Sequence, residues 1–158
     1  MLSLLVHAAL GVITTAFAFW LNAHLYQGRW RGRGVTALEA AYYVLSVASV
    51  LIGWYFNVTY VFAYPTEASW VHYTKLLFTN PAACSGFQDY IFANVFFFPM
   101  WVVSDGRRRG LKFPFIFFVM SLFTSFGFAM GMYLAAQERQ VRWSAAQPAG
   151  GADAGDDA

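Results

Sequence analysis

The sequence predicts an all-α fold, an integral membrane bundle of four transmembrane helices. Only 11% of the 158 residues are charged and 59% are hydrophobic, whereas soluble domains carry about 25% charged residues. The deficit of charge is local, because Lys, Arg, Asp and Glu are absent from residues 1–28, 40–66, 90–104 and 113–137. About 20 apolar residues cross the hydrocarbon core of a bilayer as a helix, so we expect one span at each stretch.

The first two spans are predicted over residues 2–26 and 36–64. Between them, residues 27–34 form a basic, aromatic turn that suits the lipid headgroup region. Thr36 and Glu39 have the spacing of a capping box, in which each side chain accepts a hydrogen bond from the other residue's backbone N–H. Glu39 is therefore assigned a structural role at the start of span 2.

An interfacial segment over residues 65–79 is predicted between spans 2 and 3, because aromatic and polar residues alternate there with apolar ones. Asn80 followed by Pro81 favours a helix start, since asparagine caps the first backbone N–H groups and proline is tolerated in the first turn. We therefore expect span 3 over residues 81–103, with a kink at Pro99.

The fourth span is predicted over residues 113–136, so that residues 1–142 form one transmembrane domain. Residues 143–158 are small and acidic, a composition typical of a disordered tail. The single cysteine, Cys84, excludes an internal disulfide and a Cys-x-x-Cys site. The formal net charge of +2 is too small to indicate a nucleic-acid partner.

Basic residues determine the expected orientation. Most of the ten Lys and Arg residues lie in the turns between spans 1 and 2 and between spans 3 and 4, where they also suit anionic headgroups: Arg29, Arg31, Arg33, Arg107, Arg108, Arg109 and Lys112. The opposite side would hold only Lys75, Arg139 and Arg142. The positive-inside rule then places both basic turns in the cytoplasm and both termini outside, in a multi-pass protein of the bacterial cytoplasmic membrane.

Asp89 is the residue that most strongly suggests a site. In span 3 it lies about 12 Å along the helix from Pro81, and a carboxylate inside the membrane costs roughly 2.5–3.5 kcal/mol unless it faces protein or water. With Gln88 it predicts a proton, cation or polar-ligand site. The candidate partners are Asn94, Asn57 and Lys75. If the helix begins later, Asp89 is instead an interfacial residue near the helix N-terminus.

The three histidines predict no shared cofactor. His7 and His24 are 17 residues apart, about 25 Å along one helix, so they cannot ligate one haem together. A single-histidine haem or pigment at His7 stays open beside the simpler interpretation, which is polar packing.

Span 4 carries small residues at four-residue spacing. Gly127 and Gly131 form a G-x-x-x-G motif, and Ser121 and Ser125 precede it. Small residues let another helix approach closely in a membrane. This face therefore predicts packing within the bundle or an interface with a partner.

A series of spaced motifs runs through the second part of the chain: Phe78-Thr79-Asn80-Pro81, Asp89, Asp105-Gly106-Arg107-Arg108, Gly110, Gly127 and Glu138-Arg139. Over residues 53–139 this pattern resembles a bacterial family of small multi-span membrane proteins catalogued only as a domain of unknown function. The family pattern would have Glu at Asp105, a proline near Gly131, and Arg before Glu at the end. The resemblance implies a membrane fold and brings no activity with it.

The sequence contains no catalytic motif, which favours a non-catalytic subunit or accessory protein of a larger membrane complex. We expect it to contact membrane lipids and other membrane subunits or further copies of itself. One alternative is a small oligomeric transporter or channel that uses Asp89. A further alternative is a membrane enzyme acting on a lipid or isoprenoid, with Asp89 and His72 as acid and base.

Overall fold

The computed structural model describes residues 2–27 and 34–147, and these residues form helices and turns without a β-strand. The all-α prediction is confirmed, while most of the predicted disordered tail lies outside the described residues. In chain order the elements are α1 (Leu2–Leu21), a 3₁₀ turn (Ala23–Leu25), α2 (Ala37–Ala63), α3 (Trp70–Leu77), α4 (Pro81–Ile91), a π-helical segment (Phe92–Phe97), α5 (Phe98–Arg108), α6 (Ile116–Phe123) and α7 (Phe126–Ala145).

Capping side chains determine where several helices begin. Thr36 Oγ1 accepts a hydrogen bond from the backbone N–H of Glu39 at 3.1 Å, and Asn80 Oδ1 accepts one from Ala83 at 2.9 Å. Both predicted N-caps are confirmed, and Ser125 caps α7 in the same way. The reciprocal half of the capping box does not form, because the Glu39 side chain points to the arginines of α7.

Among the described residues, two helices are long and apolar enough to cross a membrane, through the windows Leu4–Leu21 in α1 and Ala37–Ala63 in α2. Only 17% of the first window and 6% of the second are buried, unlike the mostly buried core helix of a soluble protein. The prediction of four separate spans is therefore not confirmed.

The third predicted span is part of a longer helical rod, formed by α4, the π-helical segment and α5 over residues 81–108. The π-helical turns directly precede Pro99. Proline has no N–H to donate within the helix, and a π-helical turn shifts the local hydrogen-bond register. The irregularity of the rod thus falls where the sequence predicts a kink.

Residues 113–136, predicted as the fourth span, do not form one straight helix, because the chain reverses direction in the middle. Thr124 leaves the helical region with φ −119° and ψ −97°, and Ser125 caps a new helix. Phe117 on α6 then packs against Tyr133 on α7, with ring centroids 5.4 Å apart. α6 and α7 therefore form a helical hairpin instead of one straight span.

Both ends of the hairpin lie at the same end of the bundle. Asn22, after α1, accepts a hydrogen bond from the N–H of Lys112 at 3.0 Å and donates to the Lys112 carbonyl at 3.2 Å. Arg139 on α7 binds Glu39 in the first turn of α2. We call this the basic end, and it comprises residues 22–27, 34–43, 104–115 and 137–145. The far end is the opposite one, where α3 lies.

The structure distributes the basic residues differently from the prediction. The sequence places Arg139 and Arg142 opposite the two basic turns, but the hairpin brings them to the basic end, where Arg142 Nη1 donates to the Gly34 carbonyl at 2.7 Å. Within the described ranges, Lys75 on α3 is then the one Lys or Arg residue at the far end. Arg29, Arg31 and Arg33 lie outside the described residues, in the linker between α1 and α2.

The buried interior is concentrated around the hairpin. Tyr133, Met120 and Val102 are fully buried, and α7 packs along α2 while α6 packs along α1. Large apolar side chains elsewhere on α1, α2 and the rod stay exposed, among them Val12, Trp20, Leu45, Leu51, Phe62, Phe97 and Met100. The helices thus present apolar faces outward as well as inward.

Candidate functional site

A carboxylate is buried at the basic end. The Glu39 side chain is fully buried in the first turn of α2. Its Oε1 accepts hydrogen bonds from Arg139 Nε at 2.7 Å and from Tyr43 Oη at 3.1 Å, and Arg139 Nη2 lies 2.6 Å from the same oxygen. Two guanidinium nitrogens of one arginine therefore converge on a single carboxylate oxygen.

A second guanidinium group completes this ion-pair cluster. Arg142 donates to Glu39 Oε2 and to the Gly34 carbonyl, and its Nε lies 3.6 Å from Glu138 Oε1. Glu39 and Glu138 together balance the charges of Arg139 and Arg142. The cluster of four side chains therefore has no net charge.

Arg139 also fixes the end of α1. Its Nη1 donates to the Leu25 carbonyl at 3.3 Å, and its guanidinium carbon lies 4.7 Å from the centre of the Tyr26 ring, within cation–π range. The Tyr26 and Tyr43 hydroxyls are 3.3 Å apart. The cluster thus joins α1, α2 and α7, and removing one partner of a buried ion pair typically costs about 3–5 kcal/mol.

Sequence reasoning missed this cluster, because the capping box already accounted for Glu39. A signal was present, since Glu39 is the only acidic residue in the first 66 positions and Arg139 closes the last apolar stretch. The two meet only because α7 returns to the basic end, which hydropathy does not reveal.

A second ion pair holds the turn between α5 and α6. Arg109 Nε lies 2.9 Å from both Asp105 oxygens, and Tyr133 Oη donates to Asp105 Oδ2 at 2.7 Å. Asp105 thus receives hydrogen bonds from Arg109 of its own turn and from Tyr133 of α7. The ionised carboxylate therefore ties α5 to α7.

The other predicted headgroup residues that are described lie at the surface of the basic end. Arg107, Arg108 and Lys112 are exposed, beside the paired Arg109. An exposed row of cations suits the anionic headgroups of a membrane surface.

Asp89 lies exposed on α4, and its carboxylate accepts a hydrogen bond from the adjacent Gln88. The suggested partner in acid–base chemistry, His72, lies on α3 and contacts Tyr60 and Glu67 instead. The use of Asp89 in transport or catalysis stays a prediction.

The candidate partners of Asp89 make other contacts. Asn94 is buried in the π-helical segment, where its Nδ2 donates to Tyr90 Oη at 3.0 Å and its Oδ1 accepts from Ser121 Oγ at 2.8 Å. Asn57 lies half-buried on α2. Asn94 and Ser121 therefore join the rod to α6, rather than forming a site with Asp89.

The small residues of α7 contact α2 inside the chain. Gly127 lies against Ser49 and Gly131 against Ser46, so closely that neither position has room for a Cβ. Ser125 and Ser49 share a hydrogen bond of 3.0 Å. This face is thus already occupied by the protein's own second helix.

Aromatic side chains surround His72 at the far end, within the predicted interfacial segment. Tyr60 Oη lies 3.0 Å from His72 Nδ1, and Glu67 Oε2 lies 3.2 Å from Nε2. The rings of His7 and Trp70 are 5.0 Å apart, which brings α1 to this cluster. A haem or pigment at His7 stays a prediction. Tyrosine and tryptophan are the residues that accumulate at membrane–water interfaces.

A groove of about 460 Å³ opens between α1 and α2 beside the hairpin tip. Ala8, Gly11 and Thr15 of α1 line one wall, Trp54 of α2 lines the other, and the tip at Thr124 contributes to the lining. The groove exists because the hairpin separates α1 from α2 and then turns back. Within the described residues, no group of three or more His, Cys, Asp or Glu side chains could hold a metal ion.

A family model described as "Protein of unknown function DUF2834" matches residues 41–139. The chain belongs to the DUF2834 family. No curated protein matches it, and no solved structure does. The predicted resemblance is confirmed, and the matched range begins earlier than the sequence motifs indicate.

Most DUF2834 motif residues of this chain lie at the basic end. A Cβ on Gly106 would stand 2.5 Å from the Pro114 ring, and Gly110 has φ +80°, so both glycines serve the tight turn into the hairpin. Arg139 is the last residue of the range that the family model matches, and it pairs with Glu39, which lies just before the first matched residue. Gly106, Gly110 and Arg139 therefore serve the turn into the hairpin and its anchor, whereas Phe78, Asn80 and Asp89 lie on or before α4.

Proposed function

We propose that this DUF2834 member is an integral membrane protein with three crossings and a re-entrant hairpin. The crossings are α1, α2 and the rod, whose 28 helical residues extend about 42 Å. The exposed apolar side chains on all three support contact with lipid, because monomeric soluble proteins rarely expose large continuous apolar surfaces.

The hairpin fits the middle of a membrane because its turn is partly buried and hydrogen-bonded. Thr124 Oγ1 donates to the Met120 carbonyl at 2.8 Å, and Ser125 caps the first turn of α7. Non-helical backbone is tolerated at membrane depth where protein surrounds it. Gly11 of α1 lies directly against the Phe123 carbonyl and helps to enclose the turn.

The positive-inside rule then orients the protein with the basic end in the cytoplasm. Six of the seven Lys and Arg residues that the structure describes belong to this end, and Arg29, Arg31 and Arg33 stand in the sequence between two of its segments. The N-terminus of α1 lies outside and the C-terminus of α7 inside, in the cytoplasmic membrane of a bacterium. The exposed Arg107, Arg108 and Lys112 contact anionic headgroups there.

The function that the geometry supports best is that of a non-catalytic subunit or accessory protein of a larger membrane complex. One observation carries this proposal: the hairpin packs against α1 and α2 from the basic end to its tip near Gly11, and does not reach the far half. Nothing lies within 4 Å of a Cβ placed on Gly86 of α4 in this half, and the groove opens beside the hairpin tip. Another subunit can complete this half.

Gentle extraction of the native protein followed by native mass spectrometry tests the proposal. We expect a complex in which this chain is present in fixed stoichiometry with another membrane protein. A chain that carries only lipid, as a monomer or with copies of itself, would contradict the accessory function.

A further inference from the structure

In the proposed topology, Asp89 lies just inside the outer boundary of the hydrocarbon. It precedes Arg107 by 18 residues, about 27 Å along the rod, and the hydrocarbon core is about 30 Å thick. Tyr60, in the interfacial aromatic cluster, follows Glu39 by 21 residues, about 32 Å along α2. A carboxylate at this depth requires a partner, because lipid chains offer it none.

The described part of the chain supplies no cation for Asp89. Its carboxylate is exposed and bonded to the neutral Gln88, and none of the ion pairs among the described residues includes it. The one basic residue of the far end, Lys75, is exposed on α3. The carboxylate thus faces away from the protein with its charge unbalanced.

The same face of α4 contains a glycine that the fold does not explain. Gly86 precedes Asp89 by three residues, so the two are neighbours on the helix surface. Gly11, Gly106 and Gly131 each stand against a close neighbour, but Gly86 has open space around it. Glycine destabilises a helix interior relative to alanine, and in a membrane it allows another helix to approach.

We propose that α4 binds a transmembrane helix of a different subunit, through the face that contains Ala82, Gly86 and Asp89. That helix carries a lysine or arginine near the outer edge of the hydrocarbon, and the cation pairs with Asp89. Charge complementarity selects this occupant, because a lipid chain carries no charge and a second copy offers only Lys75. The inference rests on the proposed accessory function.

Native mass spectrometry of four chains in the same mild detergent tests this inference: the parent, Asp89→Asn, Gly86→Leu and Gly53→Leu. We expect each of Asp89→Asn and Gly86→Leu to reduce the partner-bound fraction about tenfold or more. Asp89→Asn removes one member of a desolvated charge pair, whereas Gly86→Leu blocks the close approach of the partner helix. Gly53→Leu is the matched control, since Gly53 is equally open but lies on α2. It should leave the bound fraction unchanged.

The outcomes separate the inference from the function on which it depends. Full binding by both Asp89→Asn and Gly86→Leu, with a partner on the parent, would overturn the inference and leave the accessory function standing. Loss of the partner in Gly53→Leu alone would place the interface on α2 and overturn it as well. A parent without any partner would overturn both.

Charge reversal identifies the kind of partner. Asp89→Lys should abolish binding, and replacing the matching basic residue of the partner helix by aspartate should restore it. If Lys75→Gln removes the complex instead, the occupant is a second copy of this chain and the inference is wrong. Thermal unfolding of each variant shows that the fold is intact, which we expect because Asp89, Gly86 and Lys75 are all exposed.

Discussion

Replacing Glu39 by glutamine is expected to lower the free energy of unfolding by about 3–5 kcal/mol, the usual cost of removing one member of a buried ion pair. The substitution keeps the volume of the side chain and the Thr36 cap, so the loss reports the charge alone. Arg139, only 5% exposed, would then lose the carboxylate of Glu39. Unfolding by heat or by denaturing detergent, followed by circular dichroism, measures the effect.

Glu138→Gln is the matched control for this variant. Glu138 also approaches Arg142, at 3.6 Å, but its side chain is partly exposed, and such pairs contribute about 1 kcal/mol or less. The double variant Glu39→Leu/Arg139→Leu should be more stable than Glu39→Gln, because it removes the buried guanidinium group of Arg139 together with the carboxylate. Equal stability of Glu39→Gln and Glu138→Gln would refute a central role for the cluster.

Replacing Gly131 by leucine is expected to separate α7 from α2 and to cost about 3 kcal/mol or more, the upper range for overpacking a dense interior. A Cβ at this position would overlap Ser46 Oγ and would lie 2.9 Å from the Tyr42 carbonyl. The serine can rotate, but the carbonyl belongs to the α2 backbone and cannot move away alone. The unfolding temperature in detergent measures the loss.

Gly53→Leu controls for the change of side chain itself. It inserts the same residue on the opposing helix, where nothing lies within 4 Å, and leucine favours a helix more than glycine does by somewhat under about 1 kcal/mol. Its stability should therefore equal or slightly exceed that of the parent. A Gly131→Leu protein as stable as Gly53→Leu would show that α2 and α7 do not pack as described.

The sequence predicts local structure well where a single residue type decides it. The charge-free stretches mark apolar helices, and Thr36 and Asn80 begin helices because their side chains bond to amides three residues on. Pro99 indicates the irregular part of the rod for the same reason, since it lacks an N–H. Each of these features depends on neighbours within one helical turn.

The direction of the last apolar stretch could not be predicted in this way. Thr124 and Ser125 lie within 25 residues free of charge, and both residue types also occur inside transmembrane helices. Hydropathy measures length and not direction, so one long span and a hairpin have the same signal. The reversal depends on contacts that Gly127 and Gly131 make with α2, far away in the sequence.

Charged residues show the same limit. The sequence indicates Asp89 because an acidic residue is unusual in an apolar stretch. Only the fold shows that its side chain is exposed. The sequence predicts a capping role for Glu39, and its backbone N–H does donate to Thr36. Its carboxylate instead pairs with Arg139, 100 residues later in the chain. One residue can therefore take part in a local helix cap and in a long-range ion pair at the same time.

The ion-pair cluster and the open far half both depend on the reversal at Thr124. Labelling of single cysteines tests it most directly, in a Cys84→Ser background with Ser69→Cys at the far end or Ser144→Cys at the end of α7, both exposed positions. An impermeant maleimide should label Ser69→Cys in intact bacterial spheroplasts and Ser144→Cys only after lysis, because the hairpin places the two on opposite sides of the membrane. Equal labelling of both in intact spheroplasts would place the end of α7 beside α3, as a straight fourth span requires, and would contradict the hairpin.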